Sequence, residues 1–127
     1  MKAILALGFA VAANLVNSAE LPAAAQREID ALLARLSDSG CRFQRNGSWH
    51  GAADARAHIE RKYRYLLERK LVGSTEDFIA LAASKSSMSG ESYRVRCGES
   101  AAQPSADWLG AELRRLRGTA VREGGNR

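Results

Sequence analysis

Cysteine is scarce in this chain: there are two, at positions 41 and 97, and no Cys-x-x-Cys pair. That excludes a zinc-ribbon centre and a dithiol redox motif, and leaves one possible intramolecular disulfide. Also missing are a Walker loop, a dinucleotide-binding glycine pattern and a His-Glu-x-x-His helix, so cofactor-dependent catalysis is not expected and no cofactor is assigned. Aromatic residues make up 6% of the chain, so any Trp or Tyr outside the core stands out. Past residue 16 no apolar run is long enough to span a membrane. The chain shows no internal repeat and no second domain.

What is present begins with an address. Met1-Lys2 gives a short positive end, Ala3 to Val16 an apolar run, and Asn17-Ser18-Ala19 a small polar exit. The run is shorter than the roughly 18 apolar residues of a membrane span. Residues 1–19 therefore read as a secretory signal peptide cleaved after Ser18 or Ala19, with an uncleaved anchor as the alternative. The expected location is periplasmic or secreted, with no membrane span once the leader is removed. Residues 20–117 are the size of one ordinary domain, and 118–127 read as a flexible tail. The formal net charge of +5 favours acidic envelope polymers, anionic lipid heads or acidic proteins as partners; nucleic acid is not expected in that compartment. Export also makes a Cys41–Cys97 disulfide the simplest use of the two thiols. Closing a loop of about 55 residues is worth roughly 4 kcal/mol in the chain-entropy model.

Periodicity supplies the elements. Ile29, Leu32, Leu33 and Leu36 fall at i, i+3, i+4 and i+7 of a helix from Pro22 to Leu36, stopped by Gly40. Cys41 to Gln44 and Tyr93 to Cys97 switch to period two. Cys41 and Phe43 share one side of the first strand; Tyr93, Val95 and Cys97 share one side of the second. Arg42, Arg94 and Arg96 then crowd the opposite face, as a binding surface or as charges that guard a sheet edge. Asn46-Gly47 is a turn. A helix over about Gly51 to Lys70 carries Ala55, Ile59, Tyr63, Leu66 and Leu67 on one stripe and His58, Lys62 and Tyr65 along its border. Ser74-Thr75-Glu76-Asp77 opens a third helix as a capping box. The hydroxyl-rich loop Ser84 to Gly90 leads into the second strand, and Trp108, Leu109, Leu113 and Leu116 mark a last helix. The expected fold is a small single α+β domain of order α-β-α-α-β-α, its two strands joined by one disulfide.

Two candidate chemistries compete. A serine hydrolase or transferase needs nucleophile, base and orienting acid in contact; the serine loop, His58 and Asp54 contain those types, although the loop lacks the first glycine of a nucleophile elbow. Metal binding is not expected, because two histidines eight positions apart on one helix stand roughly 12 Å apart along its axis. Ligand binding asks for less. Arg45, Asn46, His50, His58 and Lys62 supply donors, Ser86, Ser87 and Ser89 supply hydroxyls, and Trp49 and Tyr93 supply stacking surfaces unless they merely fill the core.

The pieces Cys-x-Phe-x-Arg-Asn-Gly-x-x-His at 41–50, Ala55-x-x-His58-Ile59-x-x-Lys62, Phe78-Ile79, Ala83-Ser84-x-Ser86-Ser87-x-Ser89-Gly90-x-x-Tyr93 and Trp108-Leu109 give the chain a family likeness. It resembles the YfeK-like family of small exported bacterial proteins, a domain of unknown function. The resemblance implies a periplasmic location and one compact α+β domain, and brings no catalytic residue with it. Ser92 departs from the proline that the family carries there. The combined reading is a periplasmic protein, a non-enzymatic ligand-binding or envelope-accessory module. Its ligand is anionic or sugar-like, or its partner an envelope protein. The alternatives are the small hydrolase or transferase, and an inhibitor or partner of an envelope enzyme.

Overall fold

A computed structural model describes residues 20–124 together with Ala3 and Gly8. The signal-peptide reading of residues 1–19 falls otherwise outside the described residues. Four helices and four strands follow in the order α1 (Ala23–Asp38), β1 (Arg42–Arg45), β2 (Ser48–His50), α2 (Ala52–Glu68), α3 (Thr75–Ala82), β3 (Arg94–Arg96), β4 (Gln103–Pro104) and α4 (Ser105–Gly124). The sheet is antiparallel throughout, in the order β2-β1-β3-β4. This is the small α+β domain that the periodicities specify, with the two expected strands at the centre of the sheet and two shorter ones flanking them.

The flanking strands have local causes. Asn46 (φ 50°) and Gly47 (φ 81°) both adopt left-handed backbone, the requirement of a two-residue type I′ hairpin turn. The chain therefore folds straight back and pairs Phe43 with His50. Three residues show too little alternation to register as a strand, and Gly51 ends the run as N-cap of α2. At the other edge Pro104, which has no N–H to donate, occupies an outer strand where none is needed. The order of the sheet places Arg42 and Arg94/Arg96 on the two interior strands; Arg94 is paired on both sides, whereas Arg42 and Arg96 pair with each other beyond the reach of the outer strands.

The core forms where the apolar stripes of the helices meet the inward side of β1 and β3. Ile29, Leu32, Leu36, Phe43, Val72, Phe78, Val95 and Leu109 are all buried in one cluster. Phe43 meets Trp108 edge-on, and Tyr63 meets Phe78 in the same way at 5.2 Å between centroids, a geometry that aligns ring edge with ring face. The N-terminus of α3 is capped as the sequence indicates: Ser74 Oγ accepts from the Asp77 amide at 3.0 Å, and Asp77 reaches back to the Gly73 amide at 2.9 Å. Buried Thr75 donates to Glu28, whose carboxylate also takes Arg117 of α4 at 2.9 Å, tying α1, α3 and α4 at one end. The Arg117 hydrogen bond is the main reason that the Glu28 carboxyl is held below its usual range.

One boundary differs from expectation. Helix α4 continues through residues 118–124, which the sequence presents as a tail. Gly118 costs a helix interior about 1 kcal/mol but does not stop it, and Thr119 bonds back to the Arg115 carbonyl at 3.0 Å. No apolar stripe marks this stretch, and Val121 is exposed. Residues 125–127 lie outside the described residues.

Cys41 and Cys97 form a disulfide across Cα atoms 4.3 Å apart. They occupy the next register position after the Arg42–Arg96 pair, where the short spacing of a non-hydrogen-bonded antiparallel pair brings side chains together. The bridge thus clamps one end of the central strand pair. Replacing both cysteines by alanine lowers the unfolding free energy by about 2–4 kcal/mol relative to the oxidised protein. Urea unfolding followed by circular dichroism checks this, and coincident midpoints for variant and oxidised protein would contradict it.

Candidate functional site

The pairing of β1 with β3 places the end of the first strand beside the loop that leads into the other. Arg45 and Asn46 come from the end of β1 and its turn, His58, Arg61 and Lys62 from one face of α2, and Ser86, Ser87, Met88 and Tyr93 from the loop and the approach to β3. Together these nine line a cleft of about 360 Å³, within the size range of small-molecule sites.

The loop owes its shape to Ser86, which is 4% exposed. Its Oγ accepts from the amides of Met88 and Ser89 at 3.2 and 3.3 Å, and its backbone pairs with Glu91 and Gly90 at 2.9 Å. Gly90 turns the chain at φ 74°, where an L residue with a Cβ is strained. Lys85 then bridges to Ser92, and the Tyr93 amide donates to the Ser84 carbonyl. The loop is thus a closed miniature hairpin that needs no proline at 92. Ser89 Oγ donates to Asn46 Oδ1 at 2.6 Å, a direct link between the hairpin turn and the loop.

Tyr93 organises the floor. Its ring is buried, and its hydroxyl meets His58 Nε2 at 3.1 Å and Lys62 Nζ at 3.4 Å. Lys62 also donates to the Lys85 carbonyl at 2.6 Å and lies 5.3 Å from the Tyr93 ring centroid. Burial pushes the Tyr93 phenol up and, with Lys85 adding repulsion, pushes the Lys62 ammonium down. His58 is shifted furthest, to about 4, first by burial and then by the positive charges of Arg45, Arg61 and Lys62. It is neutral at neutral pH and serves as a hydrogen-bonding group. The lining contains three full cations and no carboxylate, and among the described residues none of the three forms an ion pair.

The structure brings together Arg45, Asn46, His58, Lys62, Ser86, Ser87 and Tyr93 from the residues singled out in the sequence. Ser89 stands outside the lining and acts on it through Asn46. His50 stands outside the cleft lining: it lies on β2 and lines an adjoining small recess of about 20 Å³ together with Arg45, His58 and Tyr93. The two histidines are therefore not eight positions along one helix; the hairpin turns His50 back onto the sheet. Among the described residues no group of three or more potential ligands could hold a metal ion, and no helix is long and apolar enough to cross a membrane. Tyr65 points away and stacks with Arg69. Arg61 and Met88 escaped the sequence reading. Arg61 had a signal, since it stands at i+3 from His58 on the same helical border; Met88, 96% exposed at the loop tip, had none. Among the described residues no loop serine bonds to His58, which instead faces the Tyr93 hydroxyl.

The depressed His58 value has a measurable sign. Between about 4 and the ordinary 6.5 the unfolded chain takes up a proton that folded His58 refuses. Its contribution to stability is complete above the upper value and is lost progressively as pH falls toward the lower one. His58→Gln therefore flattens the acid-side decline of stability in that window, and the His58 Cε1–H resonance titrates well below 6.5; titration at the ordinary value would contradict the cleft's electrostatics.

No curated protein and no solved structure matches the chain. A family model described as "Family of unknown function (DUF5329)" matches residues 23–117, and the chain belongs to that family.

Proposed function

We propose that this protein is a small exported binding module that holds an anionic, sugar-sized ligand in the cleft between β1, α2 and the Ser84–Tyr93 loop. The observation that carries the reading is the composition of that lining: Arg45, Arg61 and Lys62 converge with serine hydroxyls and no carboxylate. Such a concentration of like charge is unfavourable when empty and becomes favourable when an anion enters. Guanidinium forks suit carboxylate or phosphate oxygens, while Ser87 and Asn46 offer neutral partners for ligand hydroxyls. Neutral His58 and the Tyr93 phenol can each donate or accept. A histidine that protonates only near pH 4 is a weak base at neutral pH, which favours binding over proton transfer. The leader-like residues 1–19 support export to the periplasm, and the motifs between Cys41 and Trp108 support a place among the YfeK-like proteins.

Isothermal titration of the oxidised protein with galacturonate and with inorganic phosphate tests the reading. At least one binds, and Lys62→Ala or Arg45→Ala weakens it by about tenfold or more, the scale of one charge-assisted hydrogen bond. Bound anion offsets the neighbouring cations, so the pKa of His58 rises on saturation. Absence of binding by both probes, or binding unchanged in both variants, would contradict the assignment.

A further inference from the structure

A second basic surface lies on the other side of the sheet. Phe43 and Val95 point into the core, so their neighbours along β1 and β3 point outward, and Arg42, Arg94 and Arg96 are all exposed there. Trp49, cross-strand from Gln44, shares that face, and the Arg96 guanidinium lies 4.9 Å from its ring centroid. None of the four strands contains an Asp or Glu. Among the described residues the three arginines form no ion pair.

Two features make this more than a solvated face. Arg42 and Arg96 are directly opposed register partners, and like charges placed opposite one another destabilise a sheet. Arg94 sits on an interior strand and is itself paired with Pro104 of the outer strand, where protection of an edge does not account for it. From charge complementarity we infer that this open face is a docking surface for an acidic polysaccharide, distinct from the cleft. Adjacent strands stand about 4.8 Å apart and alternate residues along a strand about 6.7 Å, and the side chains spread from there, Arg94 donating to the Ala102 carbonyl at 3.0 Å and Arg96 reaching over Trp49, so the positive charge extends across the sheet toward successive carboxylates of an extended chain. Trp49 holds the Arg96 fork over the strands by stacking and offers its half-buried edge to the sugar rings. The exposed large apolar residues Tyr65, Leu71, Leu81, Met88 and Val121 all lie off the sheet, so the face has no wedge for a lipid surface.

The test uses the oxidised full chain with long polygalacturonate at low salt. The wild-type protein binds, added sodium chloride weakens the binding, and Arg42→Gln/Arg94→Gln/Arg96→Gln weakens it by at least about tenfold. That variant sets relief of the Arg42–Arg96 repulsion against loss of the Arg96–Trp49 stack and the Arg94–Ala102 hydrogen bond, so it stays folded by circular dichroism, and it retains the affinity of the cleft for galacturonate or phosphate. Lys62→Ala keeps polymer binding, which separates failure of this surface from failure of the cleft. Arg96→Lys, which keeps the charge but loses the fork, binds less tightly than wild type. No polymer binding by the wild type, equal binding by the triple variant, or tighter binding to duplex DNA or to anionic phosphatidylglycerol vesicles would overturn the proposal.

Discussion

The antiparallel pairing of β1 with β3 is the constraint on which the rest of this molecule depends. Its register, Phe43 opposite Val95, decides which side chains enter the core and which face solvent. A slip of one residue would exchange the two sets completely, burying Arg42 and Arg96 and expelling Phe43 and Val95. The Cys41–Cys97 bridge fixes that register at one end of the pair, and the contact of Ser89 with Asn46 closes the structure near the other. Pairing of segments so far apart in the chain carries a large loop-closure cost, which the bridge removes from folding by shortening the unfolded chain's options.

From this one register follow two basic surfaces of opposite character. The inner one is concave and built around the Tyr93 hydroxyl, and burial, reinforced by the neighbouring positive charges, keeps His58 neutral. The outer one is open, and its charges are screened by solvent and salt. A concave site with fixed donors suits a small ligand that can be surrounded, whereas exposed arginines spread across a sheet suit a repeating one. The net charge of +5 is thus unevenly distributed: the sheet strands carry no carboxylate at all, while Glu28, Glu60, Glu76 and Glu112 are engaged with arginines on the helices.

The sequence made the helices and the central strand pair readable because each repeats its own period over enough residues. Ile29 to Leu36 and Ala55 to Leu67 could only be helical faces, and the parity of Cys41 with Phe43 and of Val95 with Cys97 anticipated the bridge. The short strands β2 and β4 were hidden because three and two residues display no period, although Asn46-Gly47 is a hairpin turn by its chemistry. The end of α4 was hidden because nothing after Leu116 is packed, so no apolar stripe continues it. In the site, the side chains on the border of α2 were legible from spacing alone, with Arg61 recoverable by the same rule. The position of His50 was not, since it depends on a chain reversal, and neither was the role of Ser86, whose hydroxyl is spent on holding its own loop.

We propose that the strand pairing assembles one anion site from three stretches of chain that are distant in sequence. A map of backbone amide shifts in the oxidised protein, recorded as galacturonate is added, addresses it most directly. Residues 45–46, 61–62 and 86–89 are expected to shift together along a single saturation curve. Shifts confined to one of these stretches, or centred instead on Arg42, Arg94 and Arg96 of the outer face, would contradict it.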